Sequence, residues 1–273
     1  MGKFNVGLQL FSIRDEMEAD PRGTLKQVRE MGYDCVESAG YCGLSPEDFR
    51  AAVEEAGLKL VSTHTMLPPT LDGIPAIVAE QKTLGVSYMA IPWMNKDRTP
   101  GEANYESTRE MIAAICEAFH GTGLQLLYHN HDFEFDFLGG EHKIDILFRD
   151  LPELWPEFDC CWVRFSGEDP VKYIKKYAGK VPVLHLKDFI CEGYVKGEPV
   201  YELIGDDSTK GNRPKTGFEF RPIGQGCQDI PAILAAAEEA GTHTVIVEQD
   251  LATNLSPMES AKASREYLTS IGY

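Results

Sequence analysis

The residues of this chain best suited to chemistry stand in short runs that mix imidazoles with acids. They are Tyr128-His129-Asn130-His131-Asp132-Phe133-Glu134, a lone Asp159, His185-Leu186-Lys187-Asp188 and Glu248-Gln249-Asp250. Each lies in or at the end of a segment rich in β-branched and aromatic residues. In an extended segment, alternate side chains share a face. His129 then shares a face with His131, His185 with Val183 and Lys187, and Glu248 with Ile246 and Asp250. A ring of His129, Asp159, His185 and Glu248 is compatible with those faces. Two imidazoles and two carboxylates form a nitrogen–oxygen donor set suited to Mn²⁺, Zn²⁺, Co²⁺ or Fe²⁺, and thiolate ligation is not indicated. A single His or Asp at a strand end is more often a hydrogen-bonded cap. Four on adjacent strands point further, because buried charges need partners or a metal. Lys187, inward beside them, suits an anionic or enolate oxygen, and equally an ion pair with Asp250. His64 reads as a core hydrogen bond or a substrate contact, and Trp93 and Trp162 as core or as walls of a site. Glu37 also ends such a segment.

The elements that must position these residues alternate along the chain. Strand-forming runs are expected at 6–13, 33–39, 59–65, 88–94, 125–131, 157–163, 181–188 and 244–250. Each is too short and too rich in strand formers for a helix. Helical segments lie between them and carry start signals. Ser45-Pro46-Glu47-Asp48 supplies a capping Ser, a Pro at the first helical position and acids in the first turn. Phe49, Ala52, Val53 and Ala56 then form one apolar stripe before Gly57. Asp20-Pro21, Asp169-Pro170 and Ser256-Pro257 repeat the signal, the last with Glu259 completing a capping box. Eight strand–helix units of similar length predict an α/β fold, a (β/α)8 TIM barrel in one domain spanning 1–273. An open doubly wound sheet is the alternative, but no glycine-rich phosphate loop follows any strand. One connection, 190–226 between strand seven and its helix, is abnormally long and rich in Gly, Lys, Asp and Pro.

Composition narrows the function classes. The 273 residues are 43% hydrophobic and 25% charged, enough to bury a large core. With 26 Lys plus Arg against 43 Asp plus Glu, the net charge is −17. That surplus repels phosphate backbones and anionic lipid, so neither nucleic acid nor a membrane surface is the expected partner. No apolar run approaches the ~20 residues of a bilayer crossing, and the start of the chain lacks the pattern of a secretory signal. Seven cysteines without a CxxC pair argue for reduced thiols in a cytoplasmic setting.

Over nearly its full length the chain resembles the xylose isomerase-like barrel superfamily, specifically the sugar phosphate isomerase/epimerase group. The resemblance is carried by Leu8-Gln9-Leu10-Phe11-Ser12-Ile13-Arg14, Gly32-Tyr33-Asp34-Cys35-Val36-Glu37, the run from Tyr128 to Phe135, Phe158-Asp159-Cys160-Cys161-Trp162, Leu184-His185-Leu186-Lys187-Asp188, Gly224-Gln225-Gly226 and Val247-Glu248-Gln249-Asp250. It implies one divalent cation, Mn²⁺ ahead of Zn²⁺, Co²⁺ or Fe²⁺, held by a Glu, an Asp, a His and a Glu on strands five to eight. Asp159, His185 and Glu248 match three of these. The strand-five position is His129 where ketose epimerases have Glu, so either His129 ligates or Glu134 reaches back to replace it. The implied chemistry is removal of a proton α to a carbonyl through a stabilised enediolate. His131 and Glu248 are the expected acid/base groups with Glu134 in reserve. Lys187, His64, Trp93 and Trp162 are the expected substrate contacts. The first expectation is a sugar isomerase or epimerase. A keto-sugar or keto-inositol dehydratase is the alternative, and a non-catalytic sugar-binding barrel is the rival outside enzymes. The expected partner is a small sugar or keto-sugar, and a homo-oligomer is left open.

Overall fold

The computed structural model describes residues 4–191 and 217–273. Eight parallel strands run in the order of a barrel: β1 Asn5–Gln9, β2 Cys35–Ser38, β3 Lys59–His64, β4 Tyr88–Ile91, β5 Gln125–His129, β6 Trp155–Glu157, β7 Val183–Leu186 and β8 Thr244–Val247. Neighbouring strands pair in sequence, and β1 pairs with β8. The remaining seam, β6 to β7, closes through a bridge between Asp159 and His185, with His185 N–H donating to the Phe158 carbonyl at 2.9 Å. The expected (β/α)8 TIM barrel is therefore what the chain forms.

The strands are shorter than their sequence patterns suggest, because polar residues stop the ladder at the mouth. In the first, Leu10–Ile13 turns into a 3-10 helix after Gln9. The sixth differs most. It ends at Glu157, and the apolar run after it is a helix, Cys160–Phe165, capped by Asp159. All of its residues except Arg164 are buried, which removes the periodic signal that would mark that run as helical. Outer helices begin where the capping residues predict. Ser45 accepts from Asp48 N–H at 3.1 Å, and Ser256 and Glu259 complete a reciprocal box.

Inside the barrel, Cys35, Ala90, Leu127, Val183 and Ile246 form an apolar plug, backed by Val61, Tyr88 and Trp155. Gly7 is required there. A Cβ on it would lie 2.5 Å from Ile246 Cδ1 and 2.8 Å from the Cys35 sulfur. A β-bulge between β2 and β3 places Ser62, not Val61, opposite Glu37. Such a bulge re-aims side chains at the barrel rim.

Only the ends of the long connection expected at 190–226 lie within the described residues. Asp188–Ile190 pairs antiparallel with Glu219–Arg221. The Asp188 carboxylate accepts backbone N–H bonds from Phe189, Gly224, Gly226 and Gln228 at 2.9–3.1 Å. That clasp requires a glycine, since a Cβ at Gly226 would lie 2.1 Å from Asp188 Oδ1. Gly226→Ala should displace the carboxylate and lower unfolding stability by roughly 2–4 kcal/mol. Urea denaturation at fixed pH checks this, and wild-type stability would show that the clasp is dispensable.

Candidate active site

The plug forms the floor of a mouth in which the strand ends deliver ionisable groups in two tiers. Strand register brings these ends alongside one another: His129 pairs with Glu157, Gln9 with Glu37, and Ile246 with His185. In the upper tier, His129, Asp159, His185 and Glu248 present ligand atoms that all lie within 4.8 Å of one another. These are the four residues expected to hold a cation. Glu134, the alternative fourth donor, is engaged elsewhere. It accepts from the His131 N–H at 2.9 Å and from the Tyr128 hydroxyl.

Each upper-tier group is aimed by its surroundings. Asp159 Oδ1 caps the following helix, accepting from the N–H of Cys161 at 2.7 Å and of Trp162 at 3.1 Å, which leaves Oδ2 for the site. His185 Nδ1 lies 3.0 Å from Glu248 Oε2. His129 is buried, yet neither of its ring nitrogens makes a hydrogen bond, and Nε2 faces Asp159 Oδ2 at 3.4 Å and Glu248 Oε2 at 3.6 Å. An orphaned buried imidazole aimed at two carboxylates fits a divalent cation, as does the two-nitrogen, two-oxygen donor set.

Lys187 is the competing positive charge. Its ammonium sits 2.9 Å from Asp159 Oδ2, 2.8 Å from Glu248 Oε2 and 2.8 Å from Asp250 Oδ2. Asp250 therefore gives it a carboxylate outside the donor set. Burial opposes ionisation of Asp159, but Lys187 and His129 bring its pKa down to about 2. Burial pushes Asp250 up to about 6 even with Lys187 beside it. Lys187 also lies over the rings of Trp162 and Phe220, at 5.5 and 5.6 Å from their centroids.

The lower tier adds two acids, Glu37 and Glu157, to which the sequence gives no role, around His64. Glu37 and Glu157, both fully buried, flank His64, whose Nε2 lies 2.9 Å from Glu37 Oε1 and 3.0 Å from Glu157 Oε2. The signal for Glu157 in the sequence is its place two residues before Asp159; the structure sets it beside His129 in register. The expected strand started at Glu157, which hid it.

Above the tiers opens a cavity of about 590 Å³, a size suited to a small ligand. Its lining includes His64, Trp93, His129, His131, Lys187, Glu248 and Asp250. Trp93 lines this cavity. Trp162, read from sequence as core or wall, is fully buried behind Lys187 among Phe165, Phe218 and Phe220. His131 stands edge-on to Trp93, with ring centroids 4.5 Å apart, and its Nδ1 is buried without a hydrogen bond. Burial, then His129 and Lys187, push its pKa well below the usual value, so the ring is neutral near pH 7.

Burial raises Glu134 to about 7 against the hydrogen bonds of Tyr128 and His131. A carboxyl raised in this way holds its proton more tightly when folded. Its stabilising contribution is full below the unfolded value of about 4.3 and declines as pH climbs toward 7. Glu134→Gln removes that decline. The stability of the variant relative to wild type should therefore grow across this window, by up to a few kcal/mol. A pH-independent difference in urea denaturation would contradict the assignment.

An acid–imidazole centre at the C-terminal ends of the strands lies on the face where (β/α)8 barrel enzymes carry their active sites. The match to the family model for xylose isomerase-like TIM barrels runs over residues 25–271, and the chain belongs to that family. Among curated relatives, inosose dehydratase 2 of Bacillus cereus is 26% identical over 203 residues, covering 70% of this chain. The match spans 63% of that protein's length. A sugar phosphate isomerase/epimerase from Parabacteroides distasonis shares the fold at a TM-score of 0.75 and 20% identity, over 100% of this chain and 96% of the other. The IOLI protein, solved with a bound zinc atom, superimposes at a TM-score of 0.71 with 15% identity, over 98% of both chains. Among the described residues, no helix is long and apolar enough to cross a membrane.

Proposed function

We propose that this protein removes a proton α to a carbonyl in an uncharged sugar or keto-sugar, as a metal-dependent isomerase or epimerase. The observation that carries this reading is the convergence of His129, Asp159, His185 and Glu248 into one donor set, two of which, His129 and Glu248, line the same cavity as a neutral His131. A divalent cation held there would supply Lewis acidity, making the carbon acid and its enediolate accessible near neutral pH. His131 takes or returns the proton at carbon, with Glu248 as the second acid/base candidate. Lys187 offers an ammonium to a developing oxyanion, and Trp93 walls the apolar face of the ring.

The substrate is read as uncharged because Lys187 is the only Lys or Arg among the described residues lining the cavity, and three carboxylates already surround it. Dehydration of a keto-sugar or keto-inositol is the second reading. It is favoured by His129 standing where a two-carboxylate epimerase site has Glu, and by the dehydratase names of the curated relatives. Both readings share the first proton transfer. The test is incubation of the metal-loaded protein with a panel of ketoses and inososes in deuterium oxide. Deuterium incorporation without loss of water supports isomerisation or epimerisation. An unsaturated product supports dehydration. Neither outcome across the panel, with metal bound, ends the proposal.

A further inference from the structure

The Glu37 carboxylate at the end of β2 lies below the donor set and is hydrogen-bonded through both oxygens. Its Oε1 accepts from Gln9 Nε2 at 2.7 Å and from His185 Nε2 at 2.7 Å and lies 2.9 Å from His64 Nε2, and its Oε2 accepts from the Ser62 hydroxyl. Those partners come from β1, β7 and β3, so Glu37 ties together three strands around the barrel. The β-bulge described above is what brings Ser62 alongside it. Glu37 contributes no atom to the upper donor set, although it also lies within 4.8 Å of ligand atoms of His64, Glu157 and His185 in the lower tier.

Its effect falls on His185. A carboxylate only accepts, so the His185 Nε2 facing Oε1 must carry hydrogen. The ring is thereby oriented, and Nδ1 is the nitrogen presented to the upper tier, 3.0 Å from Glu248 Oε2. Metal-binding imidazoles are commonly fixed by such an outer carboxylate, which sets tautomer and orientation. The fully buried His185 touches Glu37 at one nitrogen and the donor set at the other.

We propose that Glu37 is a positioning residue: through the His185 Nε2–H bond it fixes Nδ1 toward His129, Asp159 and Glu248, and so sets the cation affinity of the site. This inference rests on the metal-dependent reading given above. It adds that a residue outside the donor set governs metal binding, and it assigns the lower tier to the chemistry above it.

The test titrates the metal-free full chain with Co²⁺, following both the dissociation constant and the visible ligand-field absorption. Glu37→Gln should weaken Co²⁺ binding about 10–100-fold and alter the absorption band, with the far-ultraviolet circular dichroism of wild type. Glu37→Asp keeps the charge that His64 and His185 face but shortens its reach, so it carries the test if the Gln variant does not fold. It should also weaken binding and shift the band. Wild-type affinity together with a wild-type spectrum in a folded Glu37 variant overturns the inference while leaving the metal reading in place. A wild-type chain that takes up no Co²⁺ overturns the metal reading and the inference with it.

Discussion

Stripping divalent cations from the protein with a chelator should reduce proton exchange on a keto-sugar to background, and restoring Mn²⁺ should recover it. The expectation follows from the acidity of the substrate. A proton α to a carbonyl cannot be removed at useful rates by a neutral imidazole unless the enediolate oxygen is stabilised. Lys187 is the one other strong cation within reach among the described residues, and Asp159, Glu248 and Asp250 already share its charge. The variant arm is Asp159→Asn. Asn remains a good helix cap, so the bonds from Cys161 and Trp162 can persist while the charge on the site-facing oxygen is lost. Cation affinity should fall by at least the 10–100-fold typical of an outer-shell change. Full exchange activity after metal removal, confirmed by elemental analysis, would sink the metal-dependent mechanism.

His131→Asn should lower turnover by about 10²–10⁴-fold while leaving bound metal unchanged. The ring lines the cavity, outside the four-residue donor set. Its aromatic surroundings and the nearby His129 and Lys187 keep it neutral, so it is ready to accept a proton near pH 7. Activity carried by this base should therefore hold through mildly acidic pH and fail only as pH drops through its depressed pKa. Asn preserves polarity and approximate size but cannot take the proton. Unchanged turnover would remove His131 from the mechanism and transfer the role to Glu248.

The barrel was legible in the sequence because its signals are local. Caps such as Ser45 and Ser256, the stripe through Phe49 and Val53, and eight short strand-forming runs each need only a few residues of context. The donor set was legible for a related reason, since period two sends His129, His185 and Glu248 to one side of three strands. What escaped depends on packing across the barrel. Residues 158–163 carry strand formers, yet a short helix with only Arg164 exposed has no periodic stripe, so the sixth strand was placed too late. Glu157 then looked like the start of a strand when it is the end of one. Glu37 was visible at a strand end, but its role depends on Ser62 being carried into place by a bulge, which no spacing in β2 or β3 announces.

The crowding of acids at the mouth also bears on how the fold tolerates change. Glu37, Glu157, Asp159, Glu248 and Asp250 are all buried within a few residues' width, and desolvating that much negative charge works against the compact state. Substitutions that trade this charge for well-packed neutral side chains should thus tend to yield hardier barrels that have lost their chemistry. Selection for thermal resilience alone would be expected to erode the mouth first and leave the plug beneath it intact.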